Sequence, residues 1–248
     1  MRNSGIDVDS RLANIGIRID ALNPHSIIHD SLEWDIQHII SQDVPSEQGL
    51  YIGQHYALAG YGPLLMLLVT ADSIRHAIYK GIEYQSLTHL FGQLSLSERD
   101  GYASLVYVPI DLNTEMGRLR AQCEISGTYK FILDIYKMMG LEAPEIRVDL
   151  PFPQPQNLNM LAQYQHYYGN NLHFNADHAV FSLNQAVLDV KIPSADIITH
   201  RVYEAKCLDE IKRLDDEATQ QSDLVQRVHN YLELQQGVIP TMAETAIA

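Results

Sequence analysis

From Gly60 to Tyr84 the chain reads GYGPLLMLLVTADSIRHAIYKGIEY, and this stretch limits the folds available more than any other. Pro63 suits the first turn of a helix, where its missing amide is no loss. The residues that follow, Leu64–Val69, are apolar on every side, so a helix here has no face to offer water and must be enclosed. Six apolar residues in a row fall far short of the ~20 needed to cross a bilayer, so the enclosure has to come from the rest of the chain. Thr70 and Asp72 are helix-capping types, and they place a kink before a second helix, Asp72–Tyr84. That helix turns Ile74, Ala77, Ile78 and Gly81 inward, with Arg75, His76 and Lys80 elsewhere.

Around this unit the pattern alternates between helices and short strands. Leu87–Leu96 and Tyr102–Ile110 read as two strands, joined by Ser97–Gly101 with Asp100–Gly101 as a hairpin turn. Leu90, Leu94 and Leu96 share one face, and Leu87, His89, Phe91 and Gln93 share the other, which fits a sheet covered by helices on one side. Glu145–Leu150 forms a third strand. Within Leu172–Asp196, the runs Leu172–Ala176 and Ala179–Leu183 flank an Asx-rich break at Asn175–His178 and read as a second hairpin. Helices are expected at Ser10–Leu22 with Ser10 as cap, at Leu32–Ile40, and from Pro45–Ser46 through Ala57. Others are expected over Thr114–Met139, ended by Gly140, over Asn157–Tyr168 and over Ile197–Ala218. The fold class that follows is α+β: a small, mostly antiparallel sheet packed with several helices, and a helical C-terminal tail.

Composition removes several functions. The net charge of −14 over 248 residues opposes phosphate binding by this chain. Two cysteines, Cys123 and Cys207, make no disulfide framework and fit reduced thiols in a cytoplasmic protein. Asp7 and Asp9 stand where a signal peptide would need apolar residues. Among the eleven histidines, His25 and His29 are four apart but follow Pro24, and His173 and His178 flank a turn. No set of three or four ligands has metal spacing, so neither a metal nor another cofactor is expected. There is no G-x-S-x-G, no Cys/His pairing motif and no phosphate loop, which leaves an enzyme only a site assembled from distant residues.

Three stretches carry a family likeness: Leu58–Leu65 through Ile74–Tyr84, Tyr164–Phe174, and Phe174-Asn-Ala-Asp177 through Leu188-Asp189 to Ile192-Pro-x-Ala-Asp196. On these the chain resembles the N-terminal region of AraC-type transcriptional regulators, in the subgroup with an arabinose-binding-like sensor that ornithine-utilisation regulators typify. It departs from that pattern at Val69–Asp72, where Ser-Pro-Thr is common, and at Tyr168, where Phe is usual. Leu224–Glu244 is similar to the first helix of the family's DNA-binding domain and the start of its helix-turn-helix. Thr241 and Glu244 form a capping box, and a helix start needs a helix behind it, so the chain reads as the front of a longer protein. The expected division is an effector-binding and dimerisation domain over residues 1–218, then a linker and the start of the DNA-binding domain over 219–248.

The resemblance implies an unknown small-molecule effector, and DNA binding only through the C-terminal domain missing from these residues. No membrane is involved. Polar or aromatic residues bordering the apolar elements are the expected ligand contacts: Tyr61, Arg75, His89, Phe91, Tyr107 and Tyr129. Leu208, Ile211 and Leu214 make an apolar stripe on an otherwise charged helix and are the expected face of a homodimer. The alternatives are a dimerisation module with no small ligand, and an enzyme with a non-contiguous site.

Overall fold

The computed structural model describes residues 7–14, 17, 30–221 and 228. The chain divides into two compact units, one of residues 46–209 and one of residues 1–45 with 210–248. In the second of these, α1 (Val8–Ala13) is capped by Asp7, whose carboxylate accepts from the Ser10 amide. Ser10 therefore lies inside the helix that it was expected to cap. Val8, Leu12 and Ile17 pack with Ile40 of α2 (Asp30–Ser41).

The larger unit is built on one sheet and one long helix. A 3-10 turn, Ser46–Gln48, leads into the short α3 (Gly49–Gly53), and a second such turn, Leu58–Tyr61, leads into α4 (Gly62–Val69). Leu64, Leu67, Leu68 and Val69 of α4 are all buried, as an all-apolar helix requires. After the kink comes α5 (Ile74–Glu83), capped by Ser73 rather than Thr70 or Asp72. Strands β1 (Gln93–Arg99) and β2 (Tyr102–Val108) form a hairpin, with Arg99 opposite Tyr102 and both Asp100 and Gly101 at positive φ. Then come α6 (Glu115–Met138), β3 (Arg147–Asp149), α7 (Leu158–Tyr168), β4 (Leu172–His173), β5 (Ala179–Asn184) and α8 (Ile197–Gln221). The unit boundary, after Asp209, falls within α8. That helix runs to Gln221, beyond the Ala218 end expected from the sequence. Apart from Val228, the Leu224–Glu244 segment with its Thr241–Glu244 box lies outside the described residues. Among the described residues no helix is long and apolar enough to cross a membrane.

The sheet has the order β1-β2-β5-β3-β4. Every pair is antiparallel except β3 with β4, so the fold is α+β with a mostly antiparallel sheet. Register puts Leu96, Leu105, Phe181 and Val148 side by side on one face, beneath α6 and α7. The opposite face carries polar pairs such as Ser104 and Ser182, whose hydroxyls lie 2.8 Å apart.

Two strand expectations are corrected. First, Leu87–Gly92 is not strand, because the Leu87 and Thr88 amides close turns on the Tyr84 and Gln85 carbonyls and the Leu90, Phe91 and Gly92 amides bond to side chains. Leu90 N donates to Thr88 Oγ1, Phe91 N to Glu124 and Gly92 N to Tyr107. Second, β4 and β5 are not a hairpin. Asn175, at φ 62°, turns the chain at the end of β4, and the Asn175 and Ala176 amides bond to Phe152 and Leu150. The chain thus crosses the end of β3 and returns as β5 on its far side. At the outer edge of β1, the Leu94 amide donates to the Gln85 side chain.

Eleven consecutive residues of α6, Leu119–Tyr129, are buried, so this helix runs through the interior rather than over it. Its other neighbour is α3, which approaches on glycine. A Cβ at Gly49 would lie 2.6 Å from the Leu119 carbonyl oxygen. One at Gly53 would overlap the Cys123 carbonyl oxygen and stand 2.6 Å from the Gly127 amide nitrogen. Backbone leaves no flexible group to move aside, so Gly53→Ala should destabilise by about 2–3 kcal/mol in urea unfolding. Gly60→Ala, where a Cβ meets nothing within 4 Å, should stay within about 0.5 kcal/mol of the parent.

Candidate ligand cavity

A cavity of about 120 Å³ lies between α4 and α5, the core face of the sheet and the C-terminal half of α6. Leu64 and Leu68 come from α4, and Ile74, Ala77, Ile78 and Gly81 from α5. The sheet gives Leu94, Leu105, Phe181 and Leu183, and α6 gives Thr128, Phe131, Ile132, Ile135 and Tyr136. One end is closed by Tyr61, Thr88 and His89.

That end is held by a connected set of hydrogen bonds. His89 Nε2 faces the Glu124 carbonyl oxygen at 3.2 Å, and a carbonyl only accepts, so Nε2 carries the proton. His89 Nδ1 therefore accepts from the Tyr61 hydroxyl, at 2.6 Å. The Tyr56 ring packs edge-on at 4.8 Å, and burial pushes the His89 pKa down to about 4. The imidazole is neutral at pH 7.

Behind the histidine lies a buried ion pair. Arg120 Nε donates to Glu124 Oε1 at 2.8 Å, and both side chains are nearly out of solvent. The same Oε1 accepts from the Phe91 amide at 3.2 Å, and Oε2 accepts from the Tyr107 hydroxyl at 2.5 Å. Tyr107 in turn accepts from the Gly92 amide. The Arg120 guanidinium lies 3.9 Å from the centre of the Phe91 ring. Burial raises the Glu124 carboxyl above the ordinary carboxylate range, while Arg120 and Tyr107 draw it back. Glu124 thus fixes the 89–92 loop, and the loop fixes His89.

The six expected contacts separate accordingly. Tyr61 and His89 meet and line the cavity. Phe91 and Tyr107 belong to the Glu124 cluster beside it. Tyr129 stands among Tyr167, Tyr168 and Phe181, and its hydroxyl donates to the Tyr168 carbonyl. Arg75 is engaged by Glu98 and Asp189. The sequence reading missed Thr88, Thr128 and Tyr136 as lining residues. Tyr136 was visible only as one member of the apolar stripe of its helix. Its hydroxyl is buried and has no hydrogen-bond partner among the described residues.

The helices that wall the cavity also hold the start of α8. His200 Nδ1 donates to the Leu67 carbonyl at 3.1 Å, and Lys80 reaches Glu204 at 2.6 Å. The Ser194 hydroxyl donates to the Val69 carbonyl, and the Asp196 amide to that of Thr70. Along α8, Leu208 is exposed, and Ile211 and Leu214 are half-buried.

Because the native histidine binds protons less readily than an unfolded one, stability should fall as pH drops from about 6.5 through 4. The loss attributable to His89 is at most roughly 3 kcal/mol. Urea midpoints at pH 7 and pH 4.5 should differ less in His89→Gln than in the parent, and equal differences would contradict the burial argument.

Comparison with known proteins places the chain among regulators' N-terminal domains by family model and by fold. Residues 5–192 match the family model described as the arabinose-binding domain of AraC transcription regulator, N-term. The crystal structure of the transcriptional regulator CdpR from Pseudomonas aeruginosa is similar at a TM-score of 0.59 and 17% identity, over 96% of this chain and 72% of that one. Among curated proteins, no match is found.

Proposed function

The chain belongs to the family of N-terminal arabinose-binding domains of AraC transcription regulators, and on that premise we propose that it senses a small molecule in the α4–α5–α6 cavity and thereby governs DNA binding. The observation that carries this reading is that the walls of the cavity, α4 and α5, are bonded directly to the first turns of α8. A ligand that favours one arrangement of α4 and α5 has a mechanical route to α8, and that is what a coupling free energy between two sites requires. In this proposal residues 1–218 sense and dimerise, and 219–248 are the linker and the start of the DNA-binding domain. Leu208, Ile211 and Leu214 of α8 supply the dimer face. DNA is contacted by the C-terminal domain alone.

Two measurements test the two halves of the proposal. Ala77 is buried on the cavity wall, so Ala77→Leu fills the space with three more carbon atoms. In a thermal-shift screen of small metabolites, compounds that stabilise the parent saturably should have no effect on this variant. Equal stabilisation of both would place binding elsewhere. For the dimer face, Ile211→Glu should halve the sedimenting mass without unfolding the protein, and an unchanged mass would remove α8 from the interface.

A further inference from the structure

Two small residues make the room in the cavity. Ala77 and Gly81 lie four apart on α5, hence on one face, where longer side chains would reach into the space. A Cβ added at Gly81 would meet only Leu68 among the described residues, at 3.8 Å. A void held open in an apolar core lowers stability in proportion to its volume, and a molecule that fills it returns that stability. The walls decide which molecules can do so.

The described lining holds no Asp, Glu, Lys or Arg, and its one histidine is neutral. Its polar members already satisfy one another or the backbone. The Tyr61 hydroxyl donates to His89 Nδ1. The Thr88 hydroxyl donates to the Gln85 carbonyl at 2.6 Å and accepts from the Leu90 amide at 3.2 Å. The Thr128 hydroxyl donates to the Glu124 carbonyl at 2.8 Å, while the His89 Nε2 proton faces that carbonyl at 3.2 Å and the Thr128 oxygen at 3.5 Å. The Tyr136 hydroxyl is fully buried and presents no surface to a ligand. Apart from these five residues the lining is Leu, Ile, Phe and Met with Ala77 and Gly81.

Resting on the sensor reading, we infer that the cavity takes a wholly apolar molecule about the size of one hydrocarbon ring, with no hydroxyl, carbonyl or charged group. Its volume, about 120 Å³, is close to the ~150 Å³ at which a dry apolar cavity admits benzene. A sugar does not suit the site, despite the family's name, because each hydroxyl would leave water for a wall whose polar groups are in use. A carboxylate suits it less, since no cation waits for it.

Four probes separate the possibilities: benzene, phenol, benzoate and L-arabinose, titrated into the full chain by ligand-observed NMR. Benzene should bind saturably, with the other three at least roughly tenfold weaker. Ala77→Leu should weaken benzene by at least roughly tenfold. Gly81→Ala adds one carbon, should weaken it by about threefold, and serves where Ala77→Leu fails to fold. Benzene binding that neither variant changes overturns the inference. Phenol, benzoate or arabinose binding as tightly as benzene, in a manner sensitive to these variants, overturns it too but leaves the sensor reading standing. No saturable binding by any of the four also overturns it; stabilisation by other compounds, lost in Ala77→Leu, would then still uphold the sensor.

Discussion

A single carboxylate in the middle of a buried helix organises the working part of this molecule. Glu124 accepts from Arg120, Tyr107 and the Phe91 amide through its side chain, and from Thr128 and His89 through its carbonyl. A buried ion pair of this kind adds little net stability over apolar residues of the same shape, yet removing one partner costs about 3–5 kcal/mol because the other charge is stranded. Its value here is positional. The Glu124 carboxylate takes the Phe91 amide and holds Tyr107, which takes the Gly92 amide, in place of ladder hydrogen bonds just before the sheet begins. An apolar pair would fill the same space without telling the loop where to stop.

The rest of the sensor is arranged to keep that helix indoors. Glycines at 49 and 53 bring α3 against its backbone on one side, and the core face of the sheet covers it on another. From Thr128 onward, the C-terminal half of the helix borders the cavity. There α4 and α5 complete the wall, and their bonds to α8 connect the void to the helix that leaves the unit.

What the sequence disclosed follows from how far apart the determining residues lie. The long helix was legible from Thr114 to Gly140 because its cap, its stripe and its terminator are local. The Asp100–Gly101 turn was legible because two positive φ values demand such residues. The second hairpin failed because β3, set between β4 and β5, comes from a different part of the chain. Leu87–Gly92 failed because the partners of its last two amides, Glu124 and Tyr107, are remote in sequence. The cavity shows the same limit. Tyr61 and His89 could be named by type, but their pairing, and the isolation of the Tyr136 hydroxyl, arise only once four elements meet.

The two margins of the sheet also bear on how copies of this chain could associate. A strand with a free row of amides and carbonyls invites another chain to zip onto it. Here β4 is only two residues long, and Gln85 occupies the outer Leu94 amide of β1, whose end carries Glu98 and Arg99. Such short or plugged borders give an incoming strand little purchase. A second molecule is therefore left to meet helical or loop surface, and growth by strand addition into an open-ended stack is discouraged by the same few residues that trim the sheet.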